Sequence, residues 1–176
     1  GSNPANTECA IEETSTNQFV QTDGSLAGSE AWQTQSQWNT TTVNGLSDDT
    51  KYTFRVKARN GDDIETAFGA TASERTDKAI PTLTTEDVNI IGNSKAVSGG
   101  TNINDFGYPV TAKGVVWNTT GSPDLSDNST SDGSGDSEFQ SIMDDLQVNE
   151  TYYVRAYATN SGGTGYGNEK TFVYTA

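Results

Sequence analysis

Hydrophobic and polar residues alternate most regularly in two segments of the chain, residues 52–60 and 152–160. From position 52 to 59 the even-numbered residues are Tyr, Phe, Val and Ala, and the odd-numbered ones are Thr, Arg, Lys and Arg. Because successive side chains of a strand point to opposite faces, this period of two predicts a strand with one face toward a core. No segment keeps an apolar period of 3.6 residues, so the sequence predicts essentially no helix.

The second of these segments repeats the first at a distance of 100 residues. Leu46 precedes Tyr52 as Leu146 precedes Tyr152, and both copies end in asparagine. A period this long is too large for a solenoid repeat and suits two copies of one β-sandwich domain. We therefore predict an all-β fold of two tandem immunoglobulin-like antiparallel β-sandwiches.

The repeat and the position of Pro81 divide the chain into domains. We predict a first domain at residues 1–77, a short linker at 78–81 and a second domain at 82–176. Proline restricts the backbone of the linker, so the two domains are expected to form a semi-rigid pair.

Alternation and turn residues predict the remaining strands of both copies. The first copy is predicted to contain a hairpin of Cys9–Glu13 and Gln18–Gln21, a Thr-rich strand at Trp38–Val43, the strand at residues 52–60 and a last strand at Thr66–Arg75. The second copy is predicted to contain strands at Pro81–Ile91, Ala96–Thr101, Val110–Asn118, Glu138–Met143, Tyr152–Asn160 and Asn168–Tyr174, with one short edge strand in the polar loop 121–138.

Composition narrows the classes of function. The net charge of −14 disfavours binding to nucleic acid and to anionic membranes. The sequence contains no run of 18 apolar residues, so we predict no membrane insertion. Cys9 is the only cysteine and histidine is absent, which excludes a Cys/His zinc site, a Ser-His-Asp triad and a Cys-His dyad. We predict no cofactor and no enzyme, because a thin sandwich seldom encloses a cleft that would tune a carboxylate pair.

The repeated pattern, a leucine six residues before Tyr-x-[Phe/Val]-Arg-x-x-Ala-x-Asn, resembles the end of a fibronectin type III domain. The resemblance implies that Tyr52 and Tyr152 form tyrosine corners, in which the phenol bonds to upstream backbone, and that Leu46 and Leu146 precede the turn before that strand. The second copy resembles more specifically a fibronectin-type-III-like repeat of secreted and surface proteins of Bacteroidetes bacteria. The motifs that carry this resemblance are Ser98-Gly99-Gly100-Thr101, Pro109 to Trp117, Asp132-Gly133-Ser134-Gly135, residues 152–160 and Tyr166-Gly167-Asn168-Glu169.

Relative to the seven-strand pattern of that family, the first copy begins at the third strand, C, and ends at the seventh, G. A sandwich that lacks two strands leaves apolar surface and an unpaired edge. Two explanations stay open: the chain is a fragment of something larger, or strands from another chain complete the first domain.

Several residues are candidates for binding sites. The acid-rich loop offers five carboxylates as possible calcium ligands: Asp124, Asp127, Asp132, Asp136 and Glu138. The alternative is an ordinary turn, for which Asp-Gly-Ser-Gly is typical. Trp32 and Trp38 are either a sugar-stacking platform or part of the core, and Trp117 is assigned to the core.

Arg55, Lys57 and Arg59 form a basic stripe on the solvent face of their strand. Pairing with Glu12 and Glu13 on the neighbouring strand is expected to neutralise it. In the second domain, outward aromatic residues Tyr153 and Tyr157 flank Arg155 and are predicted to make a better binding face. The alternative is a structural role, which is common for aromatic–arginine ladders on the faces of sandwiches.

We therefore predict a non-catalytic extracellular spacer or adhesion module of a larger secreted or cell-surface bacterial protein. The alternative is a carbohydrate- or protein-binding module attached to a secreted enzyme or adhesin. Expected partners are neighbouring domains of a larger chain, a glycan or protein ligand, and a partner chain that completes the first domain.

Overall fold

The computed structural model of the protein describes residues 7–175, and the chain divides into two compact units between Asp77 and Lys78. Nearly all of the regular structure is antiparallel β-sheet, which confirms the all-β fold class. The first unit contains β1 (Glu8–Glu13), β2 (Gln18–Val20), β3 (Leu26–Ala27), β4 (Gln33–Thr34), helix α1 (Gln35–Trp38), β5 (Lys51–Arg59) and β6 (Ala72–Arg75). The second unit contains β7 (Thr82–Thr85), β8 (Asn89–Gly92), β9 (Lys95–Asn104), β10 (Ala112–Asn118), β11 (Asn128–Ser129), β12 (Phe139–Met143), β13 (Thr151–Asn160), β14 (Gly163–Tyr166) and β15 (Lys170–Val173).

The strands of the first unit form one sheet. Its order is β3-β2-β1-β5-β6, and β4 pairs with the beginning of β1. The predicted hairpin is confirmed, because Glu12 lies opposite Phe19 in the pairing of β1 with β2. The longest pairing joins β1 and β5, with Ile11 opposite Val56 at its centre.

The strands of the second unit form two sheets. One has the order β11-β10-β13-β14, with β15 also paired to β13; the other has the order β12-β9-β7, with β8 also paired to β9. Their facing sides enclose a core that includes Ala96, Val115, Trp117, Met143, Leu146, Tyr152, Val154 and Tyr174. The second unit is therefore a two-layer β-sandwich, and Trp117 lies in its core as predicted.

The register makes β1 and β5 equivalent to β10 and β13. Ile11 pairs with Val56 as Val115 pairs with Ala156, and Glu13 occupies the position that Trp117 occupies in the second unit. The two units therefore share one sheet design. Only the second unit has an opposing sheet among the described residues.

The predicted strand at Trp38–Val43 is wrong. Residues up to Trp38 form the short helix α1, which begins with a capping box between Thr34 and Gln37, and residues 39–43 form no strand. By the repeat, residues 39–43 correspond to β12, which pairs with β9 in the second unit. Residues 7–77 contain no strand equivalent to β9, so the Thr-rich segment has nothing to pair with.

The last strand of the first unit is shorter than predicted. It runs over Ala72–Arg75, while Thr66 and Gly69 contact β5 through isolated hydrogen bonds outside any strand. The predicted strand at Pro81–Ile91 divides into β7 and β8, because the chain leaves β7 after Thr85 and pairs again from Asn89.

Candidate functional site

A tyrosine hydroxyl closes the turn before the long strand in both units. The Oη atom of Tyr52 accepts a hydrogen bond from the backbone N–H of Ser47 at 2.8 Å, and that of Tyr152 accepts one from Gln147 at 2.9 Å. Each phenol thus bonds to backbone five residues upstream, next to the leucine of the repeat. This is the geometry of a tyrosine corner.

The surroundings of the two corners differ. Leu146 is 1% exposed within the core and Tyr152 is buried, whereas Leu46 and Tyr52 are only half-buried. A small apolar cavity of about 110 Å³ opens between Leu46, Tyr52 and Phe54. The first corner therefore lies on an open face of its sheet.

Charged and aromatic side chains cover the other face of the first sheet. Arg55 forms an ion pair with Glu12, and Arg59 forms one with Glu8 at 2.6 Å. The expected pairing with Glu13 is wrong. The register places Glu13 on the opposite face from Arg55, and it accepts hydrogen bonds from the turn that follows β1.

The ammonium group of Lys57 lies inside a cage of carboxylates and rings. It bonds to Glu30 and Glu65, which raise the pKa of Lys57 in that order of strength. The centres of three aromatic rings lie within 5.9 Å of the ammonium nitrogen: those of Phe19, Trp32 and Phe68. Sequence reasoning missed most of this cage, because Glu30, Glu65 and Phe68 lie in irregular segments with no periodic pattern.

The two tryptophans of the first unit are occupied by the protein itself. The ring of Trp32 is covered by the guanidinium of Arg59 at 4.6 Å from its centre, and its Nε1 donates to Glu30 at 3.1 Å. Trp38 is 7% exposed and its Nε1 donates to the carbonyl of Cys9 at 2.9 Å. Trp38 therefore belongs to the core, and Trp32 to the charged and aromatic side chains that cover one face of the first sheet.

A polar groove of about 360 Å³ lies beside the edge of Trp38. Its lining consists mainly of hydroxyl, amide and backbone groups, from Thr22, Asp23, Gly24, Gln37, Trp38, Asn39, Thr40, Thr41, Thr42 and Asn44. Such a lining offers many hydrogen-bond donors and acceptors.

The proposed aromatic face of the second unit is only partly available. Tyr157 is buried, and its hydroxyl donates to the carbonyl of Thr130 at 2.7 Å; burial raises the pKa of Tyr157. Arg155 stacks on Tyr166 at 4.8 Å and donates to the carbonyl of Gly167. The prediction of an outward Tyr157 is wrong, because the loop that carries Thr130 covers it.

The acidic loop uses its carboxylates within turns. Asp124 accepts from Ser126, Asp127 accepts from Asn118 and from the backbone of Asp124, and Asp132 accepts from Thr130. Within residues 7–175, no group of three or more acidic, cysteine or histidine side chains converges as a metal site would require.

The residues on both sides of the unit boundary are bonded into their own units. The carbonyl of Asp77 accepts from the backbone of Asp49 at 3.0 Å. On the other side, Asn160 donates to the carbonyl of Ala79 at 2.9 Å, and a Cβ on Gly165 would lie 1.7 Å from the carbonyl oxygen of Pro81. Residues 78–81, predicted as a linker, thus pack against the second unit.

Both units are antiparallel β-structures: the second is a two-layer β-sandwich, and the described residues of the first form a single sheet. In the part of the chain that the structure describes, no helix has the length and apolar character needed to cross a membrane.

No protein-family model matches the chain, and no curated protein is similar to it in sequence. Solved structures that are similar to this chain include the FN1–FN3 domains of chicken CNTN1, with 13% identity and a TM-score of 0.47 over 97% of this chain. Domains d3–d4 of the rat CD45 extracellular region match 77% of the chain with 16% identity and a TM-score of 0.45, covering 70% of that structure. The chicken interferon gamma receptor alpha chain matches all of it with 12% identity and a TM-score of 0.42, covering 89% of that structure. The chain spans 57% of the length of the CNTN1 structure.

Proposed function

We propose that this chain is a non-catalytic spacer module of a larger secreted or cell-surface bacterial protein, extending its neighbouring domains or an adhesive surface away from the cell. The observation that carries the proposal is the bonding of the chain at the end of the first unit and at the start of the second. The carbonyl of Asp77 accepts a hydrogen bond inside the first unit, and the carbonyl of Ala79 accepts one inside the second. Bonded chain ends suit a spacer, because every unbonded residue adds freedom to bend.

The packing of residues 78–81 supports the same role. Asn160 holds Ala79 through its side-chain amide, and its own oxygen accepts from the backbone of Gly162 at 2.7 Å. Gly165 lets the chain at Pro81 approach closer than any side chain would allow. The first residues of the second unit are thereby tied to its hairpin of β13 and β14.

An inserted linker tests this proposal. Asp62→Cys and Ser134→Cys, in a Cys9→Ser background, provide one spin label in each unit at exposed turns. We expect a narrow distance distribution for the parent and a broad one after insertion of Gly-Ser-Gly-Ser between Asp77 and Lys78. The same insertion after Gly121, in a loop of the second unit, is the control and should leave the distribution narrow. A parent distribution as broad as that of the junction insertion would contradict the spacer role.

The polar groove beside Trp38 favours a second candidate function, a carbohydrate-binding module. Threonine and asparagine groups that line an open groove suit the hydroxyls of a sugar. Thr40→Trp would fill the groove from an exposed position, and Thr120→Trp in the second unit is the matched control. On a glycan array, a binding module loses its signal with the first variant and keeps it with the second, whereas a spacer gives no signal at all.

A further inference from the structure

The side-chain amide of Asn60 lies in a turn that activates its carbonyl group. Asn60 is exposed directly after β5, and its Oδ1 atom accepts hydrogen bonds from the backbone N–H groups of Asp62 at 3.0 Å and Ile64 at 2.9 Å. Two donors on one carbonyl oxygen make its carbon more electrophilic and stabilise the negative charge that develops on the oxygen when a nucleophile attacks. The turn therefore favours attack at the Cγ atom of Asn60.

A nucleophile follows Asn60 directly in the chain. The hydrogen bond from Asp62 to Oδ1 closes a small ring that also contains Cγ of Asn60 and the backbone nitrogen of Gly61. Glycine has no Cβ that would hinder the approach of its nitrogen to Cγ, and its backbone turns freely. Within residues 7–175, neither the N–H group of Gly61 nor the Nδ2 atom of Asn60 has a hydrogen-bond partner. Both nitrogens are thus free to react.

The equivalent asparagine of the second unit, Asn160, has the same carbonyl contacts but a restrained amide nitrogen. Its Oδ1 atom accepts from two backbone N–H groups of the following turn, at 2.7 and 3.2 Å. Its Nδ2 atom donates to the carbonyls of Ala79 at 2.9 Å and Asp105 at 3.4 Å, and the residue is 5% exposed. The next residue is Ser161, whose side chain hinders an attack by its own nitrogen. The second unit therefore keeps its amide where the first does not.

The other Asn-Gly pair of the sequence, Asn44-Gly45, lies in different contacts. The Nδ2 atom of Asn44 donates to the carbonyl of Asp23 at 3.0 Å, and its backbone N–H donates to that of Gly24 at 2.8 Å. Among the described residues, its Oδ1 atom accepts no hydrogen bond. The two pairs are alike in sequence, but only at Asn60 does the fold activate the carbonyl and leave the amide nitrogen free.

We propose that Asn60 is a self-modification site that deamidates by cyclisation onto Gly61. The backbone nitrogen of Gly61 forms a bond to Cγ, the bond between Cγ and Nδ2 breaks, and Nδ2 leaves as ammonia with the proton that the Gly61 nitrogen gives up. The product is a cyclic imide. Water then adds to one of the two imide carbonyls and opens the ring to an aspartate or an isoaspartate, with no oxidation or reduction. This inference does not depend on the spacer role.

The modification changes contacts at the end of β5. The backbone N–H of Asn60 donates to the carbonyl of Ile64 at 3.1 Å, and the next residue, Glu65, pairs with Arg59 and bonds the ammonium group of Lys57. In an isoaspartate the main chain runs through the former side chain, which lengthens the turn and moves the oxygen that holds it. We therefore expect residues 61–65 to detach from β5, and Glu65 to lose its contact with Lys57.

Peptide mapping of the full chain by mass spectrometry tests the proposal during incubation in mildly alkaline buffer. Electron-transfer fragmentation distinguishes isoaspartate from aspartate at each position. In the folded protein we expect Asn60 to deamidate about tenfold faster than Asn44, and Asn160 to remain intact. In concentrated urea, Asn44 and Asn60 should deamidate at similar rates, because both are then followed by an unrestrained glycine.

Two variants separate the contributions of the glycine and of the free amide. Gly61→Ala should slow the reaction at Asn60 about tenfold, because the methyl group hinders the attack. Ser161→Gly gives Asn160 the same following residue as Asn60, and we expect Asn160 to remain intact because its Nδ2 atom is held by two carbonyls. Hydrogen exchange of the isolated isoaspartate form should be faster at Ile64 and Thr66 than in the unmodified protein.

Equal rates at Asn44 and Asn60 in the folded protein would overturn the proposal, as would a slower reaction of Asn60 in the folded protein than in urea. Deamidation of Asn160 in Ser161→Gly at the rate of Asn60 would show that the restrained amide does not protect. Unchanged exchange at Ile64 and Thr66 in the isoaspartate form would overturn the expected detachment of residues 61–65.

Discussion

The strands β5 and β13 have nearly the same sequence pattern and very different surroundings. Both carry a tyrosine corner. The strand β5 pairs with β1, and β13 pairs with the equivalent strand β10 in the same register. Val154 and Ala156 are 0% exposed, whereas Val56 is 43% exposed. The pattern of a strand therefore determines its conformation and its corner, while its burial depends on a second sheet that the strand itself does not encode.

The comparison also explains why the two units have different residues at the equivalent positions 13 and 117. The second unit has Trp117 there, packed in the core, and the first has Glu13. Glu13 turns toward the following turn, where Ser15 and Thr16 donate four hydrogen bonds to its two oxygens. A large apolar side chain needs an opposing layer, and a carboxylate can be satisfied locally.

The largest contrast is expected from a charge at the two equivalent core positions. Val154→Asp buries a carboxylate without a partner and should cost about 4 kcal/mol or more, enough to unfold the second unit. Phe54→Asp, at the matching position of the first unit, should cost about 1–2 kcal/mol, because one side of Phe54 faces no second layer. Hydrogen exchange resolved by unit measures both, and equal costs would refute the difference in layering.

Truncating the leucine that both copies of the repeat share tests the same comparison at the tyrosine corner. Leu146→Ala removes a side chain that is 1% exposed and should cost about 3 kcal/mol. Leu46→Ala, from a half-buried position, should cost about 1 kcal/mol. Urea unfolding of the two variants gives the values; a larger loss for Leu46 would mean that the first corner has a cover.

Acid should destabilise the first unit through Glu13. Burial of this carboxylate opposes ionisation, but the hydrogen bonds from Ser15 and Thr16 outweigh it and lower the pKa from 4.5 to about 2. The ionised group therefore stabilises the fold above pH 4.5, and this contribution, about 2–3 kcal/mol, is lost as the pH falls toward 2. Glu13→Gln should flatten the stability of the first unit between pH 5 and 2, measured by unfolding at each pH. Asp62→Asn, at an exposed turn of the same unit, is the control.

The smallest contrast is expected at the corner hydroxyls. Tyr152→Phe removes the acceptor of the Gln147 N–H next to the core and should cost about 1–2 kcal/mol. Tyr52→Phe frees the N–H of Ser47, which lies at the surface where water can replace the phenol, and should cost about 0.5 kcal/mol. Thermal unfolding resolves the two, and a larger effect for Tyr52 would contradict the open face.

Strands with a clear alternation could be predicted from the sequence, because their side-chain period is local. The segments around Tyr52 and Tyr152 and the hairpin that joins Glu12 to Phe19 are examples. The strand at Trp38–Val43 could not be predicted correctly, since a threonine-rich pattern gives the propensity for a strand but not the presence of a neighbour to pair with.

The side-chain clusters were harder to predict than the strands. The basic stripe with Arg55 and its pairing with Glu12 follow from the register of two adjacent strands. The contacts of Lys57 with Glu30 and Glu65, and the cover over Tyr157, come from loops whose course depends on tertiary packing. No local pattern in the sequence indicates them.

The cage around Lys57 makes the two faces of the first sheet different. On the face that carries Lys57, three aromatic rings already contact its ammonium group: Phe19, Trp32 and Phe68. An external ammonium or guanidinium group therefore cannot bind to the same rings in the same way. The two sides of this sheet therefore differ: the charged side is saturated by contacts within the protein, whereas Val56 on the reverse side is 43% exposed.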